Sequence, residues 1–261
     1  MTIKIPRDYM GEPIEGSMER ILARTSPPIL VQPLTQPFVP TPININNPHD
    51  YIILPGAIHG NYSYSDTLVA MERTHHGKNW NDTYVALINE GASMLSIRQF
   101  VDFLSLLKSG KAFDGNGSPI DKLKLDSILD EIYTVRSPWR AEWLDAKFSV
   151  TDKTLGMFGG KTFINYNHKL INGQLVAQRN EELEECLMRD EKIDISDWLS
   201  NATPQGLPQK NCATGSLYYW YPKNGKVARF RAVSDRADLS CDRYPSDSYW
   251  SLGVRAASPK I

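Results

Sequence analysis

Ten of the seventeen prolines lie before residue 56. That asymmetry limits the fold more than any other feature of the chain. Proline has no amide hydrogen, and its ring collides with the preceding helical turn. The stretch Thr25-Ser-Pro-Pro-Ile-Leu-Val-Gln-Pro-Leu-Thr-Gln-Pro-Phe-Val-Pro-Thr-Pro42 therefore cannot hold a helix and runs extended or as polyproline II. It is not a plain linker, because Ile29, Leu30, Val31, Leu34, Phe38 and Val39 need an apolar surface to lie on. Residues 1–55 read as an extended Pro-rich segment packed on a domain formed by residues 56–261. A ligand for a proline-reading module is the alternative.

Beyond that segment the periodicity changes twice. Tyr51-Ile-Ile-Leu-Pro55 has the form of a short strand stopped by Pro-Gly. Residues 64–76 suggest a short helix with Leu68 and Met71 inward. Trp80, Tyr84, Leu87 and Ile88 then mark one face of a helix ended by Gly91. Ser96-Ile-Arg-Gln99 has capping-box form ahead of Ile97, Phe100, Val101, Leu104 and Leu107, with Gly110 as the stop. A third helix is expected near 121–133 and an acidic one near 181–190. Strand-like segments are expected at 144–150 and, with turns at Gly159-Gly160 and Asn172-Gly173, across 155–178. Ser216–Tyr221 and Lys226–Ala232 flank Lys223-Asn-Gly225, which reads as a hairpin between them. Leu252–Ala257 closes the chain as a strand. Helices first and antiparallel strands last make an α+β fold.

Composition excludes more than it identifies. Twenty-nine basic and thirty acidic residues nearly cancel, so bulk charge does not mark a nucleic-acid partner. The balance is a cancellation: residues 181–197 carry eight acids and two bases, residues 226–261 seven bases and four acids. No apolar run approaches the ~18–20 residues that a membrane helix needs. Met1-Thr-Ile-Lys-Ile-Pro6 lacks the apolar core of a signal peptide, so cleavable secretion is not expected. Cys186, Cys212 and Cys241 are odd in number and lack CxxC spacing, which favours free thiols, with one Cys212–Cys241 pair left open.

The usual chemical motifs are missing. His49, His59, His75, His76 and His168 include no i, i+4 pair and no His-Glu-x-x-His, so neither a metal nor a cofactor is expected. Trp80-Asn-Asp82 matches a tripeptide of calcium-dependent lectins, but it opens a helix, where Asn81 or Asp82 serves better as a cap. Gly115, Gly117, Gly156, Gly159 and Gly160 form no phosphate loop, and there is no GxSxG elbow. The asparagine tripeptides at Asn61, Asn81, Asn116 and Asn201 read as chance matches.

The unusual segment is Arg231-Ala-Val-Ser-Asp-Arg-Ala-Asp-Leu-Ser-Cys-Asp-Arg-Tyr-Pro-Ser-Asp-Ser-Tyr-Trp250. It mixes Ser, Asp, Tyr, Arg and Trp as antibody binding loops do; a long polar loop is the plain alternative. With Tyr218-Tyr-Trp-Tyr221 before it and Leu252-Gly-Val-Arg-Ala-Ala257 after it, the segment resembles the C-type lectin-like variable proteins of diversity-generating retroelements, in their archaeal and archaeal-virus form. The resemblance covers roughly residues 64–257, is most specific at 216–257, and includes Trp80 and Gly91–Phe100.

That resemblance implies a non-enzymatic ligand-recognition protein. Two main helices pack on short antiparallel strands, and a reverse transcriptase copying a template with adenine-directed errors rewrites a region near 229–251. The varied, ligand-binding positions it implies are Arg231, Val233, Asp235, Asp238, Ser240, Asp242, Tyr244, Asp247, Ser248, Tyr249 and Trp250, all on an exposed rim. Arg231, Tyr244, Tyr249 and Trp250 would be the anchors. Ala232, Ala237, Leu239, Cys241, Pro245 and Leu252–Arg255 read as scaffold. The core is expected from Trp80, Tyr84, Phe100, Leu104, Trp143, Trp220, Phe230 and Val254. The implied partner is a protein or other cell-surface ligand, met from a virion or cell surface, with neither nucleic acid nor a membrane span involved. Two rivals share the broad fold: a formylglycine-generating-like metal-dependent oxidase, for which Cys212 and Cys241 are the nearest candidates, and an invariant structural virion protein.

Overall fold

The computed structural model describes residues 47–151 and 160–260, together with the backbone of two short strands near the start. The Pro-rich stretch 25–42, its packing, and the turn residue Gly159 lie outside the described residues. The chain divides into two units, Met1–Val39 and Pro40–Ile261. In the first, β1 (Asp8–Tyr9) and β2 (Glu12–Pro13) pair antiparallel.

The second unit is α+β, with four α-helices among the described residues. Strands β3 (Tyr51–Leu54), β6 (Thr67–Ala70), β7 (Ser93–Met94) and β16 (Ala256–Pro259) form one antiparallel sheet in the order β3-β6-β16-β7. β4 (Ala57–His59) and β5 (Tyr62–Tyr64) form a small hairpin. The segment expected as a helix at 64–76 is thus strand. Thr67–Ala70 are all buried, with β3 on one edge and β16 on the other. Such a short, continuously buried run carries no period that separates strand from helix.

The larger sheet runs β10-β9-β8-β13-β14-β12-β11. Its members are β8 (Arg140–Val150), β9 (Thr162–Ile171), β10 (Gln174–Glu182), β11 (Glu191–Ile193), β12 (Leu217–Trp220), β13 (Val227–Ala232) and β14 (Ala237–Arg243). β15 (Leu252–Gly253) lies parallel to the start of β8. β12 and β13 do not form the expected hairpin, because β14 lies between them, parallel to β12 and antiparallel to β13. The Asn224-Gly225 turn docks on β8 instead: Asn224 Oδ1 accepts from Val150 N and Gly225 N donates to Phe148 O. The acidic helix expected near 181–190 is also absent. Glu181 and Glu182 end β10, and their carboxylates bind Tyr166, Gln205 and Lys161. Leu183, Cys186 and Leu187 are buried. A helix here would have set Glu181 over Glu185, a like-charge pair.

The remaining helices follow their sequence signals. α1 (Trp80–Asn89) is capped by Asn79, whose side chain accepts from Asp82 N. The cap therefore lies one residue before the Trp80-Asn-Asp82 tripeptide. α2 (Ile97–Ser109) carries the full capping box of Ser96 and Gln99 and ends at Gly110, where φ is 67°. α3 (Lys122–Tyr133) starts at Asp121, and α4 (Ile195–Asn201) at Asp194.

Two apolar clusters sandwich the centre of the larger sheet. On one side, Phe230 and Leu239 meet Phe100, Leu104, Leu125 and Trp198 from α2, α3 and α4. Phe230 packs against Phe100 at 5.2 Å and stacks on Trp198 at 6.3 Å. On the other, Trp143, Leu252 and Val254 meet Trp80, Tyr84 and Leu87 of α1. Seven of the eight expected core residues are buried there. Trp220 is not: it alternates with buried Tyr219 and faces away from the first cluster.

Arg255, 2% exposed, ties these layers together. It pairs with Glu131 of α3 at 2.6 Å and Glu142 of β8 at 3.2 Å, and donates to the carbonyls of Ala70 and Met71. Arg73 and Arg140 also reach Glu131, each at 3.0 Å. Burial alone would raise the Glu131 pKa, but the Arg255, Arg73 and Arg140 guanidiniums outweigh it and hold the carboxyl below its usual value.

Candidate functional site

Along β13 and β14 the side chains alternate between a filled core and a polar face, as strand geometry requires. Ala228, Phe230, Leu239 and Cys241 point into the first cluster. Arg229, Arg231, Asp238, Ser240 and Asp242 occupy the opposite face, with Arg231 across from Asp238 and Arg229 across from Ser240. β12 extends that face with Tyr218 beside Asp238 and Trp220 beside Ser240. Tyr218 and Trp220 stack at 6.5 Å, and Lys192 Nζ and Arg236 Cζ lie over the Tyr218 ring at 4.6 and 5.4 Å.

The turn that joins β13 to β14 is closed by Val233 N donating to Arg236 O. It carries Val233 and exposed Asp235. After β14 the chain crosses the face as a strap, residues 244–251. Pro245 O accepts from Trp80 N, Tyr249 O from Leu252 N, and Leu252 O from Gly77 N, each at 3.0 Å or less. Val254 and Thr74 exchange both backbone bonds. Gly253 allows this approach, since a Cβ there would meet the His76 ring and Thr74 O at 3.0 Å. The strap is thus fixed by backbone bonds, while its side chains Tyr244, Ser248, Tyr249 and Trp250 stay exposed.

Nine of the eleven candidate positions reach solvent at least partly. Asp238 and Ser240 do not, at 0% and 1% exposed, so the expectation of an exposed rim needs correction there. Asp238 accepts from Arg231 Nε and Nη2 at 2.8 and 2.6 Å and from Ser240 Oγ at 2.5 Å. A buried carboxylate so bound is a structural group. Asp242 is held by Arg243 at 2.7 Å and by Lys223 at 3.4 Å. The candidate scaffold residues are buried except Ala237 and Pro245, which are half-buried.

Several residues of the face lie outside the candidate ligand-binding positions. Tyr218 and Trp220 are legible from their alternation with Leu217 and Tyr219 once β12 is taken as a strand with one buried face. Trp139 has no such signal. It precedes β8 and meets Tyr249 edge-on at 5.5 Å, with Arg229 Cζ at 6.0 Å from its ring. Arg229 is 3% exposed and its Nε has no hydrogen-bond partner. Burial, aided by nearby Arg231 and Arg243, brings its pKa down to about 10, so it stays charged at neutral pH. A cleft of about 560 Å³ is lined by Trp139, Trp250, Arg73, Arg136, Arg140 and Glu131, among others.

A second concavity of about 240 Å³ lies away from this face, lined by Tyr62, Tyr64, Ser96, Asp145 and Tyr166 among others. Asp145 there holds His168 Nδ1 at 2.6 Å, Tyr84 OH at 2.8 Å and Asn167 N at 2.6 Å. Trp80 and Tyr84 pack edge-on against the His168 ring. The aspartate spends both oxygens tying α1, β8 and β9 together.

The three cysteines are free thiols. Burial pushes Cys186 up to about 11; burial and Asp197 push Cys212 up to about 12; burial also raises Cys241. Among the described residues no three His, Cys, Asp or Glu side chains are grouped to hold a metal ion. None of the described helices is long and apolar enough to cross a membrane. No family model, curated protein or solved structure matches the chain.

Proposed function

We propose that this chain is a ligand-recognition protein on a C-type lectin-like scaffold, without catalytic activity, whose C-terminal surface residues are diversified by a retroelement. One observation carries the reading: from Arg231 to Trp250 the backbone is fixed by strand pairing and by the bond from Trp80 N to Pro245 O, while nine of the eleven candidate side chains, all but Asp238 and Ser240, reach solvent at least partly. Such a segment tolerates changes at its exposed positions, because surface substitutions usually cost within about 0.5 kcal/mol. Arg231, Tyr244, Tyr249 and Trp250 supply the aromatic and guanidinium anchors on which binding energy concentrates. The scaffold assignment is supported by two principal helices, α1 and α2, packed against antiparallel strands. The partner is a protein or other surface molecule of a host or neighbouring cell, met from a virion or cell surface.

The oxidase alternative gains nothing from the geometry. Cys241 is enclosed in the core, while Cys212 lies beside Asp197, and both thiols are held protonated. The test is the DNA around the gene. The proposal expects a near-repeat of the 3′ end that differs at template adenines, with a reverse-transcriptase gene beside it. An intact locus with neither would refute it.

A further inference from the structure

We propose that the cleft lined by Trp139 and Trp250 is an acidic-peptide subsite: the partner seats an Asp or Glu side chain there on Arg136, with an apolar neighbour against the two indoles. The inference deepens the ligand-recognition reading and rests on it. Its starting point is a charge imbalance. Arg73, Arg136 and Arg140 line the cleft, and among the described residues Glu131 is the one carboxylate that does so. Glu131 is already shared by Arg73 and Arg140 at 3.0 Å and by Arg255 at 2.6 Å. Arg136 is exposed, and none of the described residues forms a hydrogen bond or ion pair with its side chain. It lies close enough to Arg140 to repel it. Burial, with Arg136 and Arg73 adding to it against Glu131, brings the Arg140 pKa down to about 10. An anion held at Arg136 would offset that repulsion, and a free guanidinium offers a carboxylate two parallel N–H bonds.

Other lining residues also lack partners. Arg140 is 5% exposed and Ser251 4%, yet neither Arg140 Nε nor Ser251 Oγ makes a hydrogen bond. Buried polar groups are normally bonded. The indoles show the same contrast. Trp80, Trp143 and Trp198 each donate their N–H to a carbonyl of the chain. Among the described residues no acceptor takes the indole N–H of Trp139 or Trp250. The cleft is open to solvent, since Arg136 is exposed and Trp250 is 69% exposed, so a partner's side chain can reach it. Its volume of about 560 Å³ exceeds one carboxylate and matches sites for whole small ligands; an apolar neighbour on the peptide would fill the remainder. Arginine and tryptophan are residue types on which protein-binding energy concentrates, which favours a peptide over a free sugar acid. Arg136 and Trp139 lie outside the candidate varied set and Trp250 inside it. The charge would therefore stay while one aromatic side chain changes from variant to variant.

The experiment titrates the full chain with the acetylated peptide amide Leu-Glu-Leu-Glu, its glutamine counterpart as the neutral control, and two other anions, glucuronate and inorganic phosphate. The indole N–H signals of Trp139 and Trp250 are followed by NMR. Saturable shifts with the glutamate peptide and none with the glutamine peptide are expected. Arg136→Gln should weaken the glutamate peptide at least about fivefold, with a Tm within ~2 °C of the parent because the side chain is exposed and unpaired. Lys147→Gln removes the same charge from an exposed position elsewhere on β8 and should leave the affinity within about twofold. Three results would overturn the proposal: no saturable shift with the glutamate peptide, equal effects of the Arg136 and Lys147 variants, or glucuronate or phosphate saturating the signals where the peptide does not. Silent indoles beside an intact template repeat would refute the subsite and leave the diversification reading standing. Saturation that Arg136→Gln abolishes, in a locus without the repeat, would do the reverse.

Discussion

Replacing Asp238 with Ala should be the most damaging single change on the polar face of β13 and β14. Its carboxylate has no solvent access and takes two bonds from Arg231 and one from Ser240. Removing it leaves a guanidinium whose side chain is 19% exposed and a buried hydroxyl without its acceptor. Breaking a buried pair from one side costs about 3–5 kcal/mol. Because Arg231 can turn partly outward, the lower end applies, about 3 kcal/mol. At roughly 2–4 °C per kcal/mol for a chain of this size, the Tm should fall by about 6–12 °C. In the double variant Asp238→Ala/Arg231→Met no stranded charge remains, and only the serine loses a bond, worth about 1 kcal/mol. Arg231→Met alone strands the buried carboxylate at a cost of about 3 kcal/mol or more, so urea denaturation of the four proteins of that cycle should give single costs that together exceed the double cost by about 5 kcal/mol. If Asp238→Ala costs less than about 1 kcal/mol, or the single costs simply add, the pair is not the structural unit described.

Other changes separate face from core. Trp250 is 69% exposed, so a third of a side chain of about 250 Å² at ~25 cal/mol/Å² caps the loss in Trp250→Ala near 2 kcal/mol. Trp143→Ala, from a site 1% exposed, should cost about 3–5 kcal/mol; parallel denaturation curves compare them. Glu131 has a lowered pKa in the folded chain, so its contribution is complete above the ordinary value of 4.5 and is lost as pH falls through the folded value. The stability gap between the parent and Glu131→Gln should therefore be widest at neutral pH and close in acid; a gap independent of pH would contradict the Arg73–Arg140–Arg255 cluster. All three thiols are raised by burial, so an aromatic disulfide reagent at about pH 8 should label them only on unfolding.

The helices were legible in the sequence because their signals are local. The capping box at Ser96, Asp121 before α3, and the Trp80–Tyr84–Leu87 face each need only a few neighbouring residues. What misled depends on distant partners. Thr67–Ala70 is strand because Ile52, Ile53, Ala257 and Ser258 pair with it. Asn224-Gly225 does make a tight turn, but β14, later in the chain, takes the place beside β12 that a hairpin would have used. On β13 and β14, alternation of small or apolar residues with polar ones marks the side that faces the core. It cannot distinguish a polar residue at the rim from one buried under its neighbours. Asp238 and Ser240 sit between β12 and β13, with Tyr218, Trp220 and Arg231 around them. Arg229 stands out only once its missing partners are visible in three dimensions.

Sequencing the 3′ end of the gene across many isolates measures directly which positions vary. Substitutions should concentrate at the exposed positions between 231 and 250, above all Asp235, Tyr244, Ser248, Tyr249 and Trp250. Arg229, Leu239, Cys241 and Leu252–Arg255 should be constant, and any change at Asp238 should be accompanied by one at Arg231. Variation spread evenly along the gene, or falling on the buried strand positions, would contradict the proposed diversification.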